Sequence, residues 1–144
     1  MKYKEITIGK TYLIEFDLED DLLDELKKFF VSQNLYGAVF WILGALKSGK
    51  FVNGPKENLL PPLPIFNTLL ETHEIVGFGN IFFDEKNNVK IHLHVSAGRD
   101  KNVITGCLRE SAQVFLTCEV FLVEIKTNII RKFSEDLGAA ILDL

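Results

Sequence analysis

The chain has 144 residues, which is enough for one domain with a hydrophobic core and no disulfide support. Apolar residues make up 47% and charged residues 25%, a balance that excludes a disordered chain and indicates a single globular domain over residues 1–144. The net charge of −4 disfavours direct binding to DNA, which needs a surface rich in Lys and Arg.

Two further features limit where the protein is expected to act. The N-terminus lacks a hydrophobic signal region, and the longest apolar run, residues 38–46, is too short to cross a bilayer. The cysteines Cys107 and Cys118 form no CxxC pair, and their apolar surroundings predict buried thiols in a reducing compartment. We therefore expect a cytoplasmic protein with no membrane partner.

The first third of the chain predicts a strand, a helix and a second strand. Residues 11–16 alternate between apolar and polar side chains, as in a half-buried strand. From Asp17 to Asn34 the apolar residues lie on one helical face, with acidic side chains first and lysines late. Residues 37–46 are apolar throughout and predict a central strand covered on both faces, in which Gly44 indicates a bulge or a close backbone approach.

A proline-rich segment divides this region from the rest. Residues 48–52 predict a short strand, and residues 53–64 contain all four prolines and show no periodicity. This segment predicts a loop or a lid that packs on its own domain or on a neighbouring subunit.

The second half reads as strands joined by turns. Residues 84–88 (DEKNN) predict the turn of a hairpin. The predicted strands, the longest of which is apolar on both faces, are residues 65–71, 74–83, 89–96, 103–108, 113–125, 129–133 and 140–144. Many strands and one main helix predict an α+β domain in which the helix packs on a mostly antiparallel sheet.

His92 and His94 lie two residues apart in a predicted strand, so both imidazoles project from the same face. HxH on a strand is a recurrent half of a zinc or iron site, and Cys107 or His73 would supply the third ligand. The alternative is a pair of histidines that hydrogen-bond to backbone or carboxylate groups at a subunit contact.

Two other positions carry alternative interpretations. Glu119 lies inside an apolar run. Its functional interpretation is a general base or a group that orients a histidine. Its structural interpretation is the ion-pair partner of one arginine. The candidate arginines are Arg99, Arg109 and Arg131. Arg99 itself lies in Gly98-Arg99-Asp100, which is either an exposed binding loop or the turn that an antiparallel sheet needs. No pattern for a catalytic nucleophile or a phosphate loop is present, so the catalytic residues, and whether the protein is an enzyme, stay open.

Residues 91–120 (IHLHVSAGRDKNVITGCLRESAQVFLTCEV) resemble the plant and prokaryote conserved domain, the PPC family, in its free-standing prokaryotic form. In that family a strand with His-x-His is followed by a polar turn, a Gly-Gly-His-Leu-like segment and a strand that closes on Glu-Val. The corresponding residues are His92 and His94, residues 97–102, Thr105-Gly106-Cys107-Leu108, and Glu119-Val120. Residues 37–46, 77–85 and 129–144 extend the resemblance.

The resemblance implies a homotrimer of α+β subunits that acts as a regulatory or interaction module with protein partners and a DNA-associated role. It also implies a metal at His92, His94 and the position of Cys107. Two departures matter. The chain has no AT-hook, the element that binds DNA in the plant proteins, and it has Thr105-Gly106-Cys107 where Gly-Gly-His is usual. Cysteine can still bind zinc as a thiolate.

Three functions follow as hypotheses. The first is a trimeric regulatory protein associated with nucleic acid. The second is a zinc-dependent small-molecule or enzymatic site at the subunit interface, built from His92, His94 and Cys107. The third is an assembly module in which the polar cluster only joins subunits.

Overall fold

The computed structural model describes residues 1–144 and consists of ten strands and one helix. In chain order these are β1 (Thr7–Phe16), α1 (Leu22–Ser32), β2 (Gly37–Leu46), β3 (Gly49–Pro55), β4 (Pro64–Leu69), β5 (His73–Phe83), β6 (Val89–Arg99), β7 (Asn102–Glu110), β8 (Val114–Lys126), β9 (Arg131–Ser134) and β10 (Ala139–Leu142). Strands account for 61% of the chain and the helix for 8%, which confirms the predicted fold class.

Eight of the strands form one antiparallel sheet in the order β1-β8-β2-β5-β6-β7-β3-β4, and β9 and β10 form a separate hairpin. The predicted hairpin of β5 and β6 is confirmed, and Asp84 and Asn88 close its turn through a backbone hydrogen bond of 2.9 Å. The turn between β6 and β7 is shorter than predicted. Only Asp100 and Lys101 lie between the paired residues Arg99 and Asn102.

The single helix covers one face of the sheet. It begins after Asp21, whose carboxylate accepts hydrogen bonds from the backbone N–H groups of Leu23 and Asp24 and so satisfies two free donors of the first turn. Leu22, Leu23, Leu26 and Phe30 are buried and join a core of 23 buried residues. Each such side chain stabilises the fold by about 1.5–3 kcal/mol of transfer free energy.

The opposite face, which we call the outer face, is apolar but uncovered. Trp41 and Leu43 of β2 are 49% and 55% exposed, and Phe121 of β8 is 48% exposed. The prediction that β2 is covered on both faces is therefore wrong for the single chain, and β8 is uncovered on the same face. The physical reason is that one helix covers only one face, so apolar side chains on the other face remain in contact with water.

Gly44 interrupts β2 as predicted. Its φ is +139°, and the register between β2 and β8 shifts between Gly44 and Ala45. A Cβ at this position would lie 2.4 Å from the carbonyl oxygen of Thr117. Gly44 therefore combines a backbone conformation that L-residues rarely adopt with a close backbone approach.

The proline-rich segment is shorter than the predicted loop. β3 takes residues 53–55 and β4 begins at Pro64, so the loop itself covers residues 56–63. Pro61 lies against Gly138 in the turn between β9 and β10, which shows that the loop packs on its own chain. Leu59, Leu60 and Leu63 remain 66–68% exposed.

Candidate metal centre

β6 and β7 bring together His92, His94 and Cys107, which we call the His–Cys cluster. His94 and Cys107 are directly paired across the two strands, so their side chains share a face. Leu93 and Val95 are buried on the helix side, as expected from strand alternation, and this fixes both imidazoles on the outer face.

The geometry of the cluster is close. One ligand atom from each of His92, His94 and Cys107 lies within 4.8 Å of the others. The two Nε2 atoms of His92 and His94 are 3.2 Å apart, and their rings meet edge to face. Three donors of the N, N, S type at this separation could hold one transition-metal ion after small side-chain rotations.

Cys107 is only 4% exposed, while both histidines are exposed. Burial raises the pKa of the Cys107 thiol above its ordinary value, and the positive charge of Arg109 partly opposes this. The free thiol is therefore protonated at neutral pH, and a bound metal would have to displace its proton. The other cysteine, Cys118, is buried in the core and donates to the carbonyl oxygen of Ala45 at 3.4 Å, so it is structural.

Arg131, from β9, lies next to the cluster on the Nδ1 side of the His92 ring. Its Nη2 donates to Oδ1 of Asn80 at 2.6 Å and lies 3.4 Å from Nδ1 of His92. Desolvation of that edge of the ring, followed by the charge of Arg131, lowers the pKa of His92 below its ordinary value. His92 is therefore held neutral, which is the form that binds metal.

His73, the alternative third ligand, lies far from the cluster. It starts β5, whereas the β5 residue opposite His94 is Phe78. Five residues of strand separate the two positions, about 17 Å. The Nδ1 of His73 lies 2.7 Å from the carbonyl oxygen of Glu71, so its environment is a local turn.

Arg99 also lies outside the cluster. Its Nε contacts a carboxylate oxygen of Glu71 at 3.2 Å, and its Nη1 donates to the carbonyl oxygen of Thr72 at 3.1 Å. Both contacts connect the end of β6 to the start of β5. Arg99 therefore stabilises the turn end of the sheet rather than contributing to the cluster.

Glu119 is exposed on the outer face and pairs with none of the predicted arginines. Its neighbours across the strands are Glu15 of β1 and Leu43 of β2. Because β2 and β5 separate β8 from β6, about 14 Å lie between Glu119 and the histidine strand. Within one chain Glu119 can neither orient a histidine nor form the predicted ion pair.

The sequence predicts Arg131 only as a possible ion-pair partner of Glu119, and it does not predict Asn80 as a site residue. Arg131 is 6% exposed, the only charged residue among the buried ones. Its placement depends on how the β9–β10 hairpin folds back on β6, and no periodic pattern in the sequence encodes that contact.

No helix of the protein is long and apolar enough to span a membrane.

Solved structures of related proteins share this fold over nearly the whole chain. A metal-containing protein from Archaeoglobus fulgidus is 29% identical, with 98% of each chain covered and a TM-score of 0.86. A plant- and prokaryote-conserved protein from Pyrococcus horikoshii is 26% identical, with 100% of this chain and 98% of that chain covered and a TM-score of 0.85.

A protein from Bacteroides thetaiotaomicron, provisionally named as DNA-binding, is 24% identical over 96% of each chain, with a TM-score of 0.78. At that identity the likeness shows the fold alone. No curated protein sequence matches the chain at a significant level. The Plants and Prokaryotes Conserved (PCC) domain matches residues 3–126, which include the His–Cys cluster, and this confirms the resemblance found in the sequence. The chain belongs to the PCC domain family.

Proposed function

We propose that this chain is a self-assembling PCC-domain interaction module, a single domain over its 144 residues, that holds one zinc ion per subunit at His92, His94 and Cys107. The observation that carries the proposal is the convergence of three ligand atoms within 4.8 Å on two adjacent strands. The similar protein from Archaeoglobus fulgidus is metal-containing, which supports a metal in this fold.

The donor set fits zinc better than a hard cation. Zinc prefers tetrahedral N and S ligands at about 2.0–2.3 Å, which places neighbouring ligand atoms roughly 3.3–3.8 Å apart. The 3.2 Å between the two Nε2 atoms is close to that separation. Calcium and magnesium prefer oxygen ligands, which the cluster lacks. Three protein ligands leave a fourth position for water or for a partner group.

The outer face supports assembly, and we propose a homotrimer as the family resemblance implies. Directly paired residues form one row across the sheet: Leu13, Phe121, Trp41, Phe78, His94 and Cys107. Trp41 stacks edge to face with Phe78, with ring centroids 5.3 Å apart. An exposed aromatic row of this kind is typical of a protein interface, and the His–Cys cluster lies at its end.

The interaction role follows from this surface rather than from charge. The net charge of the chain is −4, and neither strand of the cluster contains a run of basic residues. We therefore propose protein partners and no direct contact with duplex DNA. A mobility-shift experiment at low salt should show no retarded duplex; a complex that weakens as salt rises would contradict this part of the proposal.

Elemental analysis of the purified protein tests the metal. We expect one zinc per chain in the wild type and less than half of that in His94→Ala and Cys107→Ser. The control is His73→Ala, which removes a histidine outside the cluster and should leave the zinc content unchanged. Equal zinc in all four proteins, or none in the wild type after purification with added zinc, would contradict the proposed site.

A further inference from the structure

A cavity of about 360 Å³ lies beside the His–Cys cluster, between β6, β7 and the β9–β10 hairpin. Its titratable lining groups are Lys90, His92, Arg109 and Arg131, and no carboxylate lines it. We call it the cationic cavity. A concave site with several cationic donors and no acid is suited to an anion.

Two of these cations have no counter-ion in the chain. Lys90 is paired with Asp84 at 3.3 Å, which offsets its charge. Arg109 forms no ion pair. Arg131 bonds only to neutral acceptors, which are the Ala140 carbonyl at 2.8 Å, Asn80 at 2.6 Å and the neutral ring of His92 at 3.4 Å. The Nε of Arg131 is buried without any partner. A buried guanidinium without an anionic partner is costly, and a bound carboxylate would offset that cost.

An apolar groove of about 530 Å³ adjoins the cationic cavity and shares Arg109, Gly138 and Ala139 with it. Pro55, Pro62, Pro64 and Phe66 line the groove. The one acid in its lining, Glu110, pairs with Lys50 at 3.3 Å. A ligand that fills both spaces has an anionic head and an apolar body, and Arg109 stands where the two spaces meet.

We propose that the cationic cavity binds the carboxylate of a small organic acid, held by Arg131 and Arg109, while the apolar body of the acid lies in the groove between the proline-rich loop and the β9–β10 turn. The charge of the cavity favours an anion over a neutral ligand, and the proline-lined groove favours an organic acid over inorganic phosphate. The site lies beside the proposed zinc but does not require it.

Titration calorimetry with octanoate tests the proposal, with acetate as the head group alone and 1-octanol as the apolar body alone. Wild type freed of metal by a chelator should bind octanoate more tightly than either of the other two. Arg109→Gln should weaken octanoate binding by about tenfold or more, the scale of a lost charge-assisted hydrogen bond. Arg109 is exposed, so its replacement leaves the core intact.

Arg99→Gln is the matched control, because it removes the same charge at the far end of β6, where Arg99 pairs with Glu71. It should leave octanoate binding within about twofold of wild type, the scatter expected for a distant surface change. If Arg99→Gln and Arg109→Gln weaken octanoate binding equally, the effect comes from the overall charge of the protein, and the proposal is overturned. The proposal is also overturned if octanoate binds no more tightly than acetate or no more tightly than 1-octanol.

Light scattering on the same samples separates a free acid from a carboxylate of a second copy of the chain. If Arg109→Gln dissociates the assembly and the wild type binds no octanoate, a neighbouring subunit fills the cavity and the proposal fails. Binding that appears only after zinc is added, and that Arg109→Gln does not change, would make the acid a metal ligand and also overturn it. Loss of zinc with retained octanoate binding contradicts the metal proposal alone.

Discussion

Nη2 of Arg131 lies 3.4 Å from Nδ1 of His92, so a buried cation faces the inner edge of a proposed metal ligand. An arginine can only donate hydrogen bonds, so Nδ1 must accept and the proton of the neutral ring lies on Nε2. Metal on Nε2 needs the opposite tautomer, with the proton on Nδ1. Arg131 therefore favours the metal-free form of His92.

Replacing Arg131 by Gln should tighten zinc binding. The amide oxygen of Gln can accept from Nδ1–H, and the repulsion between two cations disappears, so we expect affinity to rise by about tenfold, the usual scale for groups that contact a metal-bound histidine. Competition with a chromophoric chelator measures the affinity. The same variant should unfold more easily by about 1–3 kcal/mol because Arg131 joins the β9–β10 hairpin to the sheet.

Arg109→Gln provides the comparison, because Arg109 also lies near His92 but makes no hydrogen bond to it. It should change zinc affinity less than Arg131→Gln does. Weaker zinc binding in Arg131→Gln would contradict the tautomer argument, provided that circular dichroism shows a folded protein at the temperature of the assay.

Zinc binding should release close to one proton per ion at about pH 7, because burial raises the pKa of Cys107 and the metal takes the thiolate. His92 adds no proton there, since its pKa is lowered below 6.5 and the ring is already neutral. Calorimetry in buffers of different ionisation enthalpy counts the protons. Cys107→Ser should abolish the release, and an unchanged proton count in that variant would contradict the assignment.

Acid should destabilise the metal-free protein through His92. The unfolded ring binds a proton near its ordinary pKa of 6.5, whereas the folded ring binds one only at lower pH. The stability linked to His92 is therefore fully present above pH 6.5 and declines as the pH falls from there towards the folded pKa. An NMR titration of the His92 ring should give a midpoint below 6.5; a midpoint above that value would contradict the described contacts.

Trp41→Glu should dissociate the proposed trimer, because it places a charge in the centre of the exposed aromatic row. Sedimentation would report single chains, and folding should survive because Trp41 lies outside the buried core. Val31→Glu is the control, since Val31 is similarly exposed, at 54%, but lies on the helix. If both variants assemble like the wild type, the outer face is not the contact between subunits.

Gly44→Ala should lower the free energy of unfolding by about 2 kcal/mol or more, since it combines a strained φ with a backbone clash. Gly54→Ala isolates the first cost, because Gly54 has a similar φ of +132° with nothing within 4 Å. Gly54→Ala should lower the free energy of unfolding by about 1 kcal/mol. Denaturant unfolding measures both, and equal losses would mean that the approach of Thr117 to Gly44 costs nothing.

The sequence indicated the fold class and most strands because strand alternation and the single amphipathic helix are local patterns. The strand of residues 37–46 and the β5–β6 hairpin match their predicted bounds closely. The prediction that β2 is covered on both faces was wrong because the sequence shows only that a residue is apolar. It does not show whether a helix, a partner subunit or water lies against that residue. The residues of a strand do not specify what covers each of its two faces.

For the candidate site, the sequence by itself determined that His92 and His94 share a face, since i and i+2 must do so in any strand. Only the tertiary structure decided between Cys107 and His73 as their companion, because register across strands, and not distance along the chain, sets which side chains meet. It also placed Glu119 three strands from the histidines and brought Arg131 against His92. Those contacts depend on strand order and on the fold of the terminal hairpin, which no local pattern encodes.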